Sequence, residues 1–176
     1  MANLPRLRMA SDRKKSIIDD SPAIFEIVDN PNAVSAAPFY EIEGASEVGK
    51  WCGIIIHLSQ KHGVDSRLVE AIMYMETTHG WYDMFYPMRK TILPMNLHYK
   101  YWRELGVTKE NLGCPFYNIE FGVILLARIQ ARIEQPTIAK IATIYNFLGA
   151  ERVNDYGARV AKLYITRPWT TEGCAR

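Results

Sequence analysis

Asp65-Ser66-Arg67-Leu68-Val69-Glu70-Ala71-Ile72-Met73-Tyr74-Met75-Glu76 decides how this chain is read. Asp65 is a good helix N-cap, because its carboxylate can accept from the free amides of the first turn. Behind it, Leu68, Val69, Ala71, Ile72, Met73, Tyr74 and Met75 wrap almost the whole helical circumference. A helix apolar on every side is buried, not laid on a surface. Glu76 follows one turn after Ile72 and Met73, on the face of Leu68 and Val69. It lies in the last turn, where the helix dipole presents partial negative charge. Burial and dipole both disfavour an ionised carboxyl, so the sequence predicts a raised pKa for Glu76. An average glutamate at a helix end would instead turn out to water or a lysine.

Aromatic residues crowd just beyond this carboxyl. Trp81, Tyr82, Phe85, Tyr86, Tyr99, Tyr101 and Trp102 place 7 of the chain's 20 aromatics between residues 81 and 102. Taken singly, each ring is as well explained by core filling. Together, beside a half-buried carboxyl, they suit a cleft for a ligand with polar and apolar faces, such as a sugar chain. A carboxyl kept protonated near neutrality can donate its proton to a glycosidic oxygen. Glycosidases ordinarily pair such an acid with a second carboxylate. Asp83 is nearest in sequence, with Glu70 and Asp65 behind it, and none has a diagnostic spacing.

Outward from this helix, the chain from Ser46 onward reads as helix after helix, an all-α, single-domain pattern. Ser46 is the expected cap of a helix to Lys61, closed by His62-Gly63; Gly80 is the expected stop after Thr78. Asn96 is the expected cap of a short helix ending at Leu105-Gly106, and Asn118 of a long one over Ile119–Glu134, halted by Pro136. Thr137–Phe147 and Glu151–Tyr164 complete the set, with room for a small hairpin near Trp81–Ile92. Residues 1–45 carry four prolines and no sustained period, and read as an extended arm with at most one short helix near Lys14–Ile18. The catalytic domain is expected over 46–176.

The whole chain has 176 residues, 48% hydrophobic and 23% charged, enough for one core without a metal or disulfide staple. Its 21 basic and 19 acidic side chains leave a net charge of +2, too balanced for a nucleic-acid-binding footprint. No apolar run approaches the ~18 residues of a membrane helix, so no membrane insertion is expected. Cys52, Cys114 and Cys174 show no zinc spacing and are expected to be three thiols, in preference to one disulfide and a spare. The basic N-terminus lacks the apolar stretch of a secretory signal.

Four segments resemble one family in its order. His62–Glu76 is similar to the first motif of soluble lytic transglycosylases and goose-type lysozymes, where a Gly-Val-Asp turn opens a helix ending in the catalytic glutamate. Leu93-Pro94-Met95-Asn96 resembles the Gly-Leu-Met-Gln motif, Asn118-Ile119-Glu120-Phe121-Gly122 the Asn-Ile-x-x-Gly motif, and Tyr145-Asn146-Phe147-Leu148-Gly149 the Tyr-Asn-Ala-Gly block. The chain departs from the pattern at Thr77 (serine in the family), at the missing glycine before Leu93, at Asn96 for glutamine, and at Phe147-Leu148. The likeness spans residues 46–165.

The resemblance implies a lysozyme-like fold and cleavage of the β-1,4 bond between N-acetylmuramic acid and N-acetylglucosamine in peptidoglycan. Glu76 would be the acid and then the base, with Asp83 the candidate second carboxylate. Met95, Asn96, Tyr145 and Asn146 would contact the glycan, as would Trp81 and Tyr82 from the aromatic cluster. No metal or organic cofactor is implied. The expected protein is a monomeric antibacterial effector, made without a signal peptide and delivered to a target cell's wall by a contact-dependent machine such as type VI secretion. A cognate immunity protein would then block its cleft. A phage endolysin or virion lysozyme, or a non-catalytic glycan-binding module on the same scaffold, are the rival readings.

Overall fold

The computed structural model describes residues 4–36, 41–42, 44–80 and 92–169. It is helix-dominated, as the sequence predicts. Eight helices run in order among these residues: α1 Leu4–Asp19, α2 Ala45–His62, α3 Ser66–Thr77, α4 Tyr99–Trp102, α5 Lys109–Leu112, α6 Pro115–Gln130, α7 Ile138–Asn146 and α8 Asp155–Thr166. A short antiparallel pair joins β1 (Glu41–Ile42) to β2 (His79–Gly80), with Glu41 opposite Gly80 and Ile42 opposite His79. The hairpin expected near Trp81–Ile92 falls almost wholly outside the described residues. No helix among them is long and apolar enough to cross a membrane.

The chain forms two compact units. One comprises Met1–Ala36 with Leu125–Lys162; the other comprises Ala37–Ile124 with Leu163–Arg176.

In the second unit, α3 is what its sequence predicts. Asp65 accepts from the Arg67 amide, and Leu68 through Tyr74 are all buried. The helix ends at Thr77, one residue before the expected Thr78, because Thr78 takes an extended backbone and bonds back to the Tyr74 carbonyl. Gly63 closes α2 in the left-handed region, at φ 66°, where glycine carries no Cβ penalty. The start of α2 abuts the end of α3: a Cβ on Gly44 would lie 2.1 Å from Thr77 Oγ1 and 2.9 Å from the Tyr74 carbonyl oxygen. The Gly44 amide donates to Thr78 Oγ1. Gly44 thus permits the close approach of the two helices, with Ile55 and Leu58 of α2 fully buried.

The first unit corrects the expected arm. Residues 4–19 form one 16-residue helix in place of a short turn of helix at Lys14–Ile18. Ile17 is fully buried and Phe25 is nearly so. The extended stretch after α1 pairs through two parallel bridges, Phe25 with Ile133 and Val28 with Arg152. Arginines hold it. Arg13 is only 8% exposed, and its Nη1 donates to the carbonyls of Leu148 and Ala150 at 2.7 and 2.6 Å. Its Nη2 donates to the Glu26 carbonyl, and its guanidinium lies over the Phe25 ring. Burial pushes the Arg13 pKa down, with Glu151 opposing. Arg132 donates to Ser16 Oγ, the Arg128 carbonyl and Asp20 Oδ1, and the Asp20 carboxyl is held below its usual range chiefly by that last bond. Arginine side chains thus satisfy buried backbone carbonyls in this unit.

The expectation of three thiols is also corrected. Cys52 is disulfide-bonded, whereas Cys114 is a free, exposed thiol.

Candidate functional site

Glu76 lies in the last turn of α3, half-buried, next to the fully sequestered Ile72 and Met73. Its Oε2 accepts a 2.6 Å hydrogen bond from Asn96 Nδ2. The two residues stand 20 positions apart in the chain. Asn96 caps no helix, contrary to the sequence expectation; His98 caps α4, with its Nδ1 accepting from the Tyr101 amide. Asn96 instead occupies a turn over 93–96, at φ 57°. Asparagine tolerates that left-handed backbone better than most residues, which suits it to this position. Reciprocal backbone bonds between Ile92 and Leu97 close the turn, each 2.9 Å.

The bond from Asn96 favours the ionised carboxyl, whereas partial burial and the helix C-terminus favour the protonated one. An amide carries no charge of its own. Rotated about its last torsion, it can equally accept from a protonated carboxyl. Its partner is therefore held in either protonation state, as a group that gives and then takes a proton requires.

Met95 was expected to touch the glycan, but its side chain has no exposed surface. It packs beneath the turn against Gly122 of α6, where a Cβ would sit 2.8 Å from Met95 Cγ and Cε. Asn118, expected as an N-cap, lies inside α6 with no exposed surface and bonds to the same turn. Thr77 is buried and donates to the Met73 carbonyl at 2.7 Å.

Two of the other carboxylates considered have structural duties. Glu70 is 3% exposed, accepts from the Trp169 indole at 3.0 Å and stands 3.9 Å from Arg167. Asp65 caps α3 and also accepts from the Tyr164 hydroxyl, which raises the Tyr164 pKa. Asp83, Trp81 and Tyr82 lie outside the described residues. Of the aromatics that are described, Trp102 is buried and packs edge-on against Tyr101, so this part of the cluster is partly core.

Next to Thr77 is a cavity of about 290 Å³, lined by Glu47, Lys50, Trp51, Leu93, Pro94 and Pro115 as well. Glu47 accepts from the Trp51 indole at 3.0 Å, and the Lys50 ammonium lies over the Trp51 ring. No sequence motif marked this group.

Tyr145 and Asn146 end α7 in the unit that contains α1. Tyr145 is half-buried and Asn146 exposed. Asn146 lines an open cavity of about 540 Å³ with Asn30, Asn154, Asp155 and Tyr156 among its neighbours. A larger cavity, about 1000 Å³, sits in the same unit beside Arg8, Met9 and Phe25 and includes no predicted site residue. Among the described residues no three His, Cys, Asp or Glu side chains gather as metal ligands would.

No protein-family model, curated protein or solved structure matches this chain.

Proposed function

We propose that the chain cleaves the β-1,4 bond between N-acetylmuramic acid and N-acetylglucosamine in peptidoglycan, with Glu76 as the acid. The observation that carries this reading is the Glu76–Asn96 pair: a half-buried carboxyl at the end of an apolar helix, held by an uncharged amide at 2.6 Å. Glu76 protonates the leaving oxygen as the bond from the muramic C1 breaks and an oxocarbenium-like centre forms. The resulting carboxylate then takes the proton from the muramic 6-hydroxyl as that oxygen closes onto C1, leaving a 1,6-anhydro end. Water in place of the 6-hydroxyl would leave a reducing end. Glu70 and Asp65 are both engaged elsewhere, which leaves Asp83 as the candidate for a second carboxylate where the route needs one.

The motif likeness assigns glycan contacts to Tyr145 and Asn146, and the open cavity beside Asn146 is compatible with one. The Cys52 disulfide supports action outside the reducing cytoplasm, where such bonds persist. The wall of a target cell is such a place, and delivery there as an antibacterial effector belongs to the same proposal.

Purified sacculi test it. Wild type releases soluble muropeptides with anhydro ends by mass spectrometry, and Glu76→Gln does not. Unchanged release by Glu76→Gln would remove Glu76 from the mechanism. No release by either protein leaves a glycan-binding module.

A further inference from the structure

The turn that carries Asn96 is held from behind by a side chain that touches neither Asn96 nor Glu76 through any bond described above. We infer that Asn118 is the positioning residue for Glu76, acting through the 92–97 turn. The inference rests on the reading of Glu76 as the acid, but the geometry behind it is independent of turnover.

Asn118 uses both ends of its amide. Oδ1 accepts from the Met95 backbone amide at 2.9 Å, and Nδ2 donates to the Ile92 carbonyl at 2.9 Å and the Leu112 carbonyl at 3.1 Å. Two of the three bonds therefore fall on the turn, and the third ties it to the end of α5. Ile92 O is also the oxygen that accepts from the Leu97 amide, so Asn118 occupies the second lone pair of the carbonyl that closes the turn. One helical turn along α6, Gly122 receives the Met95 side chain. Asn118 thus fixes the main chain of Met95 and Gly122 seats its side chain, both from one face of α6.

Asn96 is the next residue. With the Met95 peptide fixed and φ at 57°, the direction of the Asn96 Cα–Cβ bond is set, and from there the amide reaches Glu76 Oε2. A buried asparagine inside a helix has a cost in desolvation that its bonds must offset. If Asn118 served only the end of α5, the Leu112 bond would suffice; the two bonds to the turn are what the site uses.

The test follows the Asn96 side-chain amide by ¹⁵N–¹H NMR, alongside kcat and KM on purified sacculi. In the wild type one Asn96 amide proton is shifted downfield by the Glu76 carboxylate, and Glu76→Gln assigns it. Asn118→Asp keeps an oxygen for the Met95 amide but has at most one proton to donate, so it cannot keep both donated bonds. It is expected to move the Asn96 resonance toward the free-amide position and to lower kcat about tenfold at nearly constant KM, as expected when a catalytic group is slightly misplaced. Combined with Asn96→Gly, which accepts the left-handed backbone but lacks the donor, it lowers kcat no further. A folded Asn118→Asp protein with an unmoved Asn96 resonance overturns the inference, as does full additivity with Asn96→Gly. If Asn118→Asp does not fold, Gly122→Ala decides: its methyl presses on Met95 from the other side, and an unmoved Asn96 resonance overturns the inference there too. A resonance that responds in a protein without turnover leaves the positioning role standing and removes the proposed function.

Discussion

In the unit built on α1, irregular backbone is held by guanidinium groups: Arg13 spans the carbonyls of Glu26, Leu148 and Ala150, and Arg132 ties Ser16, Asp20 and Arg128 together. In the unit built on α3, a neutral amide, Asn118, bonds the irregular turn at 92–97 at both Met95 and Ile92. Both arrangements satisfy buried polar backbone, and both place the responsible side chain at 8% exposure or less. They differ in the field they create. A guanidinium fixes any nearby carboxyl as an anion, as Asp20 shows. Under the proposed function Glu76 alternates between protonated and ionised forms, which a neutral frame serves better; it is held by Asn96, whose turn Asn118 bonds. A charged clamp holds backbone in the one unit; in the other a neutral amide holds the turn beside the carboxyl proposed to exchange a proton.

That contrast can be broken at four places. The largest effect is expected at the carboxyl itself: Glu76→Gln lowers release of muropeptides about 10²–10⁴-fold, the span of general acid–base contributions, while the urea midpoint barely moves. An equally large loss of stability would mean that Glu76 belongs to the core and not to a site. Arg13→Leu comes next. It leaves the carbonyls of Leu148 and Ala150 without their donor, and unfolding in urea is expected to show a loss of about 3 kcal/mol or more at 1–3 kcal/mol per orphaned group. A loss under 1 kcal/mol would show that water replaces the guanidinium and that the charged clamp is dispensable.

Gly44→Ala tests the close packing of the unit built on α3. The new methyl would meet Thr77 Oγ1 at 2.1 Å and the Tyr74 carbonyl at 2.9 Å, and overpacking of this kind costs about 1–3 kcal/mol. Thr77 can turn aside, whereas the carbonyl cannot without moving α3. The smallest effect is expected at Glu120, whose carboxyl is held below its usual range first by Lys61 and also by His62. Its folded pKa lies below the unfolded one, so its stabilisation is present above the unfolded value and disappears as pH falls through the folded one. Glu120→Gln is therefore expected to lower stability by under about 1 kcal/mol at neutral pH, since Lys61 is largely exposed, and by nothing at acid pH. A deficit that persists at acid pH would assign Glu120 to packing instead of to charge.

The helices were legible wherever a local signal existed. Asp65 caps the helix it was expected to cap, Gly63 ends α2, and the all-apolar run of α3 is buried as its period requires. Polar residues with distant partners were misread, because a side chain's local preference does not reveal which backbone it will meet. Asn96 and Asn118 are both good caps by type, and each is used for a contact across the fold instead. Asn118 did carry a signal: it precedes the apolar residues of α6 within the helix, where a buried amide demands partners. Arg13 carried none, since nothing distinguishes it from the four other basic residues of the same helix, Arg6, Arg8, Lys14 and Lys15. Met95 was assigned to the ligand by its motif and proved to be the buried support of the turn.

The sequence by itself determined the helical class of this protein and the place of Glu76 at the end of a buried helix, because periodicity and caps act over a few residues. Only the tertiary structure decided what holds that carboxyl and what holds the α1 unit together. Glu76 meets Asn96 across 20 residues and Arg13 meets Ala150 across 137, and contacts at such separations are selected by how whole elements bury their surfaces, which no local pattern records.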